Sequence, residues 1–473
     1  MRVRLRPWSA VLAALAVVGV AERVWVLRGR WGVVDSDEAV VGLMARAFRH
    51  GHWQAFYWGQ HYAGSLEPAL VALFGASGTA LKLVPVGLAA VTCLLVWRVG
   101  RRFIDERLAQ LAGLLFWVAP GAFVYWSTKE RGFYWTSMAL GVLLLLAAAR
   151  LVQEKRWALD GAVFGLAAGI GFWVSPTVLY FAVPAGVWVV ARRSPPLRWL
   201  TVAVPTAVVG ALPWLWHNVG HGFPSLDRPV QDGAVSYLGG IRRLATQTMP
   251  IALNLRYPIS DKWLAGHVGQ VLYLALGAAL VVAFVVRRDR PVLLFGALAV
   301  YPFIYAWFPG AWFVGEGRYA LFAAPFLALA IAWLFRRPAV VAAVCVVGAL
   351  VSVGVVQATG GESPRSVGGD LVALRRAGVD HLWGNYWYAY RLGFVSGGWL
   401  VAAPIASSRD KRLYAEVERS PHPAFLYVKG DTRAEAAAAT FHHPTRMLHT
   451  EHFDVVLVDG RVDPRSLPGP LWP

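Results

Sequence analysis

"VPVGLAAVTCLLVWRVGRRFIDERLAQLAGLLFWVAP", residues 84–120, reads as two apolar runs joined by an arginine-rich connection: Arg98, Arg101, Arg102 and Arg107 stand against Asp105 and Glu106. A run of about 20 apolar residues is long enough to cross a ~30 Å hydrocarbon layer as a helix. Only helices and closed barrels satisfy their backbone inside lipid, and apolarity here is continuous rather than alternating, which selects helices. The same unit recurs along the chain. Of its 473 residues, 57% are hydrophobic and 15% charged, with a mean hydropathy of +0.49. Spans are expected near 8–27, 81–99, 108–127, 133–149, 158–174, 177–191, 199–217, 267–286, 292–309, 318–335 and 339–356.

A net charge of +18 is a property of nucleic-acid binders, but its distribution carries a different meaning. Lys and Arg gather in alternate connections, "MRVRLR", "WRVGRRFIDER", "RLVQEKR", "ARRSPPLR", "RRDR" and "FRRP". The opposite connections, "TKERG", "SP" and "PGAWFVGEGR", hold little. That asymmetry is the positive-inside pattern. It places the N-terminus in the cytoplasm and the chain beyond residue 357 outside, and it accounts for the basic excess with no nucleic-acid partner. The start, "MRVRLRPWSAVLAALAVVGVA", has the basic opening and apolar core of a signal peptide. Apolarity continues through "VWVL" after Glu22 and Arg23, so a retained first span is expected. Cys93 and Cys345 both fall in spans, which excludes a disulfide framework and a cysteine metal cluster.

The fold class expected is therefore an all-α polytopic membrane bundle of about eleven transmembrane helices, N-in and C-out, with a small C-terminal extracytoplasmic α/β domain. Its transmembrane domain is residues 1–356 and its outer domain 357–473, joined by the linker "QATGGESPRSVGG". In the outer domain "DLVALRRAG" and "RDKRLYAEVERS" read as helices, and "HLWGNYW", "WLVAAPI", "AFLYVKG" and "DVVLVDG" as strands. Two further segments, 28–80 and 218–266, lie on the outer side. "GLAAGIG", 165–171, spaces small residues for close helix packing in lipid.

The acid in this chain is unevenly placed. "GVVDSDEAVVGLMARAFRHGHW", 32–53, gathers Asp35, Asp37 and Glu38 just after the first span. Val40, Leu43, Met44, Ala47 and Phe48 then recur at helical spacing, as in an amphipathic helix on the membrane surface. Asp35 reads as its N-cap and Glu38 as the partner of a capping box. Capping explains these two acids without chemistry and explains Asp37 least. The segment "FYWGQHYAGSLEPALVALFG", 56–75, follows.

Together these stretches resemble the first outer loop of the GT-C glycosyltransferases. They are most similar to the branch holding dolichyl-phosphate-mannose protein mannosyltransferases, aminoarabinose transferases and Rgt-like enzymes. "GFWVSPTVLYFAVPAGVWVV" (171–190) and "GRYALFAAPFLALA" (317–330) look like later spans of that family. The resemblance implies a sugar moved from a polyprenyl-phosphate donor to an acceptor hydroxyl of an envelope glycan, lipid or protein. It matches the family's Asp-Glu pair to Asp37 and Glu38, with Asp37 as general base and Asp35 in reserve. Holding the departing phosphate needs cations. The outer loops offer Lys129, Arg131, Arg242, Arg243, Arg256 and Arg318, while His61 and Glu67 are candidates for the sugar or a metal. Each has a plainer account: Lys129 and Arg131 flank Glu130, Arg318 stands near Glu316, and Arg242 and Arg243 suit anionic headgroups.

No cofactor is called for. His442, His443, His449 and His452 lack zinc spacing, and a divalent metal is not indicated. No glycine-rich phosphate loop follows a strand, which disfavours a nucleotide donor. "NYWYAYRLGF", 385–394, is aromatic enough to dock on the bundle or stack on a glycan as well as to pack a core. The competing class is a transporter or flippase of lipid-linked substrates, which places charges at the bilayer midplane in repeated halves. The third is a silent scaffold in which the acidic loop only caps a helix.

Overall fold

The computed structural model describes residues 7–154, 156–192, 197–227, 235–308, 315, 317–359 and 366–467. Its helices in chain order are α1 (Pro7–Arg28), α2 (Ser36–Arg49), α3 (Leu66–Leu73), α4 (Gly78–Gly100), α5 (Glu106–Val118), α6 (Gly121–Trp126) and α7 (Tyr134–Gln153). There follow α8 (Trp157–Val174), α9 (Leu179–Ala191), α10 (Leu200–Gly210), α11 (Leu212–His221), α12 (Tyr237–Arg243), α13 (Met249–Ala252), α14 (His267–Val286), α15 (Val292–Trp307), α16 (Ala324–Phe335) and α17 (Pro338–Thr359). The described residues of the eleven expected spans lie largely on helix. Among the described residues seven helices are long and apolar enough to cross a membrane, or eight with the bent pair α10–α11 counted as one span.

Departures from continuous helix have local causes. The expected span 108–127 is divided into α5 and α6 at Ala119 and Pro120, since proline lacks the N–H and its ring clashes with the preceding turn. α10 and α11 meet at 59°, with Pro213 among the first residues of α11. Gly165 and Gly169 of α8 lie under the carbonyls of Ala203 and Ala207 of α10: a Cβ at either would stand 2.0 Å from an oxygen. The small residues of "GLAAGIG" are there to let two backbones touch. α7 and the stretch Arg318–Phe335 sit at the centre of the bundle, with 72% and 78% of their apolar windows buried, whereas α14 has 11% buried and rides on the outside.

The basic connections converge at one end. Arg102 after α4 pairs with Glu154 after α7 at 2.5 Å, Arg198 lies 4.9 Å over the Trp157 ring, and Arg336 after α16 pairs with Asp289 after α14. A cavity of about 400 Å³ there is lined by Arg101, Arg102, Asp289 and Arg336, among others. The acidic stretch lies at the other end of α4, where Lys82 meets Glu38. The 23 residues of α4 separate the two ends by ~34 Å.

Beyond α17 the chain forms an α/β unit of α18 (Gly368–Arg376), β1 (His381–Gly384), α19 (Tyr386–Val395), β2 (Val401–Pro404), α20 (Lys411–Glu418), β3 (Ala424–Val428), α21 (Arg433–Thr440), β4 (Thr445–His449) and β5 (Phe453–Val458). The sheet order is β2-β1-β3-β5-β4, parallel from β2 to β3 and antiparallel beyond. Three elements differ from expectation, the short helix α21 among them. β4 lies in the histidine-rich stretch, and "NYWYAYRLGF" is the helix α19 rather than the end of a strand, because Asn385 caps it by accepting from the Tyr388 N–H at 3.2 Å.

A candidate active site at the start of α2

Asp35 caps α2 as expected. Its Oδ1 accepts from the Glu38 N–H at 3.1 Å, and Glu38 Oε2 accepts from the Asp35 N–H at 3.1 Å. This box turns Glu38 inward, fully buried, onto two lysines: Lys82 Nζ donates to its oxygens at 2.5 and 2.7 Å, and Lys129 Nζ at 3.0 Å. Asp35 receives a two-pronged bond from Arg131, at 2.8 and 2.9 Å, with Lys129 at 3.3 Å. Burial raises the Asp35 carboxyl, but Arg131, Lys129 and then Lys82 outweigh it and hold the group well below the ordinary carboxylate range. Burial likewise works to discharge Lys129 and Arg131, and the carboxylates around them keep both protonated above their ordinary values.

Asp37 points elsewhere. Its side chain is 27% exposed, against 18% for Asp35 and none for Glu38. Oδ1 accepts a 2.7 Å bond from the Tyr386 hydroxyl, and Oδ2 lies 3.9 Å from Arg131 Nε, beyond hydrogen-bond reach. The Tyr57 hydroxyl donates to the Asp37 carbonyl at 3.2 Å. The Arg409 guanidinium stands over the rings of Tyr57 and Tyr386, at 5.8 and 5.4 Å. Burial, and then the neighbouring Asp37, push the Tyr386 phenol above its usual range, so it stays a donor.

Of the residues singled out in the sequence, Asp35, Asp37, Glu38, Lys129 and Arg131 form this one cluster. Arg318 joins its edge: the Trp126 ring has Arg131 at 5.1 Å and Arg318 at 5.7 Å, and Tyr62 feels Arg409, Arg318 and Asp37 together. Glu316 lies outside the described residues. Glu38 is a buried anchor, its carboxylate sealed between two ammonium groups. Glu130 does not neutralise Lys129 and Arg131; it turns to Glu67, both fully buried. Glu67 accepts from the Thr136 N–H at 2.7 Å and so faces the bundle rather than a sugar. His61 leans on α11, with Nδ1 3.2 Å from His217 Nε2. Arg256 is engaged by Asp261 at 2.5 Å and the Thr246 carbonyl at 2.9 Å. Arg242 is exposed on α12 and Arg243 half-buried beside it. Among the described residues no group of three or more metal-type ligands is assembled.

The sequence reading missed Lys82, Tyr57, Tyr386 and Arg409. Lys82 carried a signal, as a lone cation near the start of an apolar run. Tyr386 lay in the aromatic stretch 385–394 read as able to dock on the bundle, but nothing tied it to Asp37, 349 residues earlier, and Arg409, 372 residues from Asp37, carried no signal.

Residues 67–217 match the family of dolichyl-phosphate-mannose-protein mannosyltransferases. No curated protein matches the chain by sequence. Among solved structures, ArnT from Cupriavidus metallidurans bound to undecaprenyl phosphate superposes with a TM-score of 0.65 at 14% identity, covering 98% of this chain and 99% of that one. The apo state of that protein gives 0.63 at 13% identity, covering 95% and 97%. Residues 67–217 thus carry the mannosyltransferase family's pattern, and the chain over nearly its whole length has the GT-C-like fold of ArnT.

Proposed function

We propose that the chain is an integral membrane glycosyltransferase that moves a sugar from a polyprenyl-phosphate donor to an acceptor hydroxyl, with Asp37 as general base. The observation carrying this reading is that Asp37 alone of the three acids has an oxygen within reach of solvent and outside hydrogen-bond range of a cation. The acceptor hydroxyl gives its proton to Asp37 Oδ2 while its oxygen attacks the anomeric carbon. The bond from that carbon to the phosphate oxygen breaks, the polyprenyl phosphate leaves with the electron pair, and configuration inverts. Charge grows on the phosphate as it departs, and guanidinium groups offer forked donors to it. Arg318 and Arg409 act on Tyr62 together with Asp37, which puts them near it, whereas the Arg131 fork is taken by Asp35. The undecaprenyl phosphate held by ArnT supports a lipid phosphate as the leaving group.

The positive-inside rule supports reading the basic end of the bundle as cytoplasmic, and on that reading the site and the α/β unit face outward from a cell inner membrane. The test uses full-length protein in liposomes with undecaprenyl phosphates carrying labelled glucose, mannose or galactose, and native membrane extract as acceptor. Asp37→Asn is expected to lower release of undecaprenyl phosphate by at least about 100-fold with the fold intact. Wild-type turnover in that variant overturns the assignment.

A further inference from the structure

The α/β unit presents a particular edge to Asp37. In open α/β sheets ligands gather at the carboxyl ends of strands where the strand order reverses. Here β1 leads to β2 on one side and β2 returns to β3 on the other, so the reversal lies at β1. The residues just past the carboxyl ends of β1 and β2 are the Tyr386 and Arg409 regions. Both face the bundle. α19 begins at Tyr386, and its partly positive N-terminal end lies toward the Asp37 carboxylate.

The docking is shaped on both partners. Gly42 in α2 admits the Phe394 ring of α19, where a Cβ would stand 2.2 Å from Cε2. Arg46 lies 4.2 Å over the same ring. The Ser36 hydroxyl donates to the Trp387 carbonyl. Gly59 takes a left-handed φ of +67° against the Arg409 backbone, where a Cβ would sit 3.2 Å from Cα. The Arg409 N–H in turn donates to the Tyr390 hydroxyl at 2.5 Å. The ring of Tyr386 is thereby held between Arg409 and Asp37.

We infer that the α/β domain completes the active site by supplying Tyr386 as the positioning residue of Asp37. The phenol occupies Oδ1 and fixes the rotamer, which leaves Oδ2 directed at the acceptor. This rests on the reading of Asp37 as base, and the experiment separates the two. In full-length protein, Tyr386→Phe keeps the ring and deletes only the hydroxyl. Its kcat for undecaprenyl phosphate release is expected to fall about tenfold, with KM and the binding of undecaprenyl phosphate unchanged. Tyr388→Phe, on the same helix but turned to Phe453 at 5.0 Å, leaves kcat at the wild-type value. In an Asp37→Glu background, where the carboxylate no longer meets the phenol in the same geometry, Tyr386→Phe costs less than about twofold, because coupled residues are not additive. Equal losses in the two backgrounds, or a loss seen only in KM or lipid binding, overturn the positioning role. So does full kcat in Tyr386→Phe when Asp37→Asn is inactive. An active Asp37→Asn overturns the base itself instead.

Discussion

Asp37 and Glu38 are neighbours in the chain and differ in everything that decides reactivity. A helix turns successive residues by about 100°, so once Asp35 and Glu38 close the capping box, Asp37 must point away from it. That much was legible in "DSDE". The fate of Glu38 was not, because its partners Lys82 and Lys129 are supplied by two other elements. A second pair of carboxyls, Glu67 and Glu130, is buried together with no lysine between. Burial first, and the Glu67 carboxyl next, raise Glu130 well above its ordinary value of 4.5. A raised carboxyl pKa contributes stability that is full below the unfolded value and is lost as pH climbs through the folded one. The Tm of the wild-type protein is therefore expected to fall as pH rises above the ordinary Glu130 value of 4.5. Glu130→Gln keeps the shape and removes the titration, so its Tm changes less over the same rise. Thermal scans in acid and in neutral buffer check this, and an equally steep decline in Glu130→Gln would refute the raised Glu130 carboxyl as its cause.

At the scale of elements, periodicity told most where one helix faces one environment. α2 showed its amphipathic stripe, α8 its small residues, and α4, α7 and α17 their unbroken apolarity. α19 was harder, because its aromatic residues serve two surfaces. Tyr390 and Phe394 pack toward the bundle core, while Ala389 and Leu392 fill the core of the α/β unit. A residue pattern that answers to two partners has no single period to read. The contact itself predicts a phenotype. Gly42→Leu places a side chain where the Phe394 ring lies, and that ring is almost fully buried. Such a clash in a filled interior has no cheap relaxation. The expected result is an α/β unit that keeps its own fold, leaves the bundle, and becomes sensitive to protease in the linker after α17. Turnover falls with it. A Gly42→Leu protein that is as protease-resistant and as active as wild type would show that the interface does not need this fit.

For the whole molecule, charge distribution carries more information than total charge. The excess of Arg and Lys is not spread: it closes one end of the bundle, where Arg102, Arg150, Arg287 and Arg336 each find an acid or a helix-end carbonyl. At the opposite end Lys82, Lys129 and Arg131 are matched by Asp35, Asp37 and Glu38. These three cations are thus neutralised within the protein, so they weigh little against the orientation that the other end implies. The sequence disclosed this alternation but not the pairing, which needs residues from distant loops brought together. The orientation it implies is open to direct test. On a background with Cys93→Ala and Cys345→Ala, single cysteines replace exposed Glu435 of α21 and exposed Arg290 between α14 and α15. In intact spheroplasts a membrane-impermeant maleimide is expected to label the cysteine at 435 and spare the one at 290 until the membrane is opened. The reverse pattern would turn the molecule over and place Asp37 on the cytoplasmic face. A polyprenyl-phosphate donor presented from outside would then have no access to it, and the proposed chemistry would lose its location.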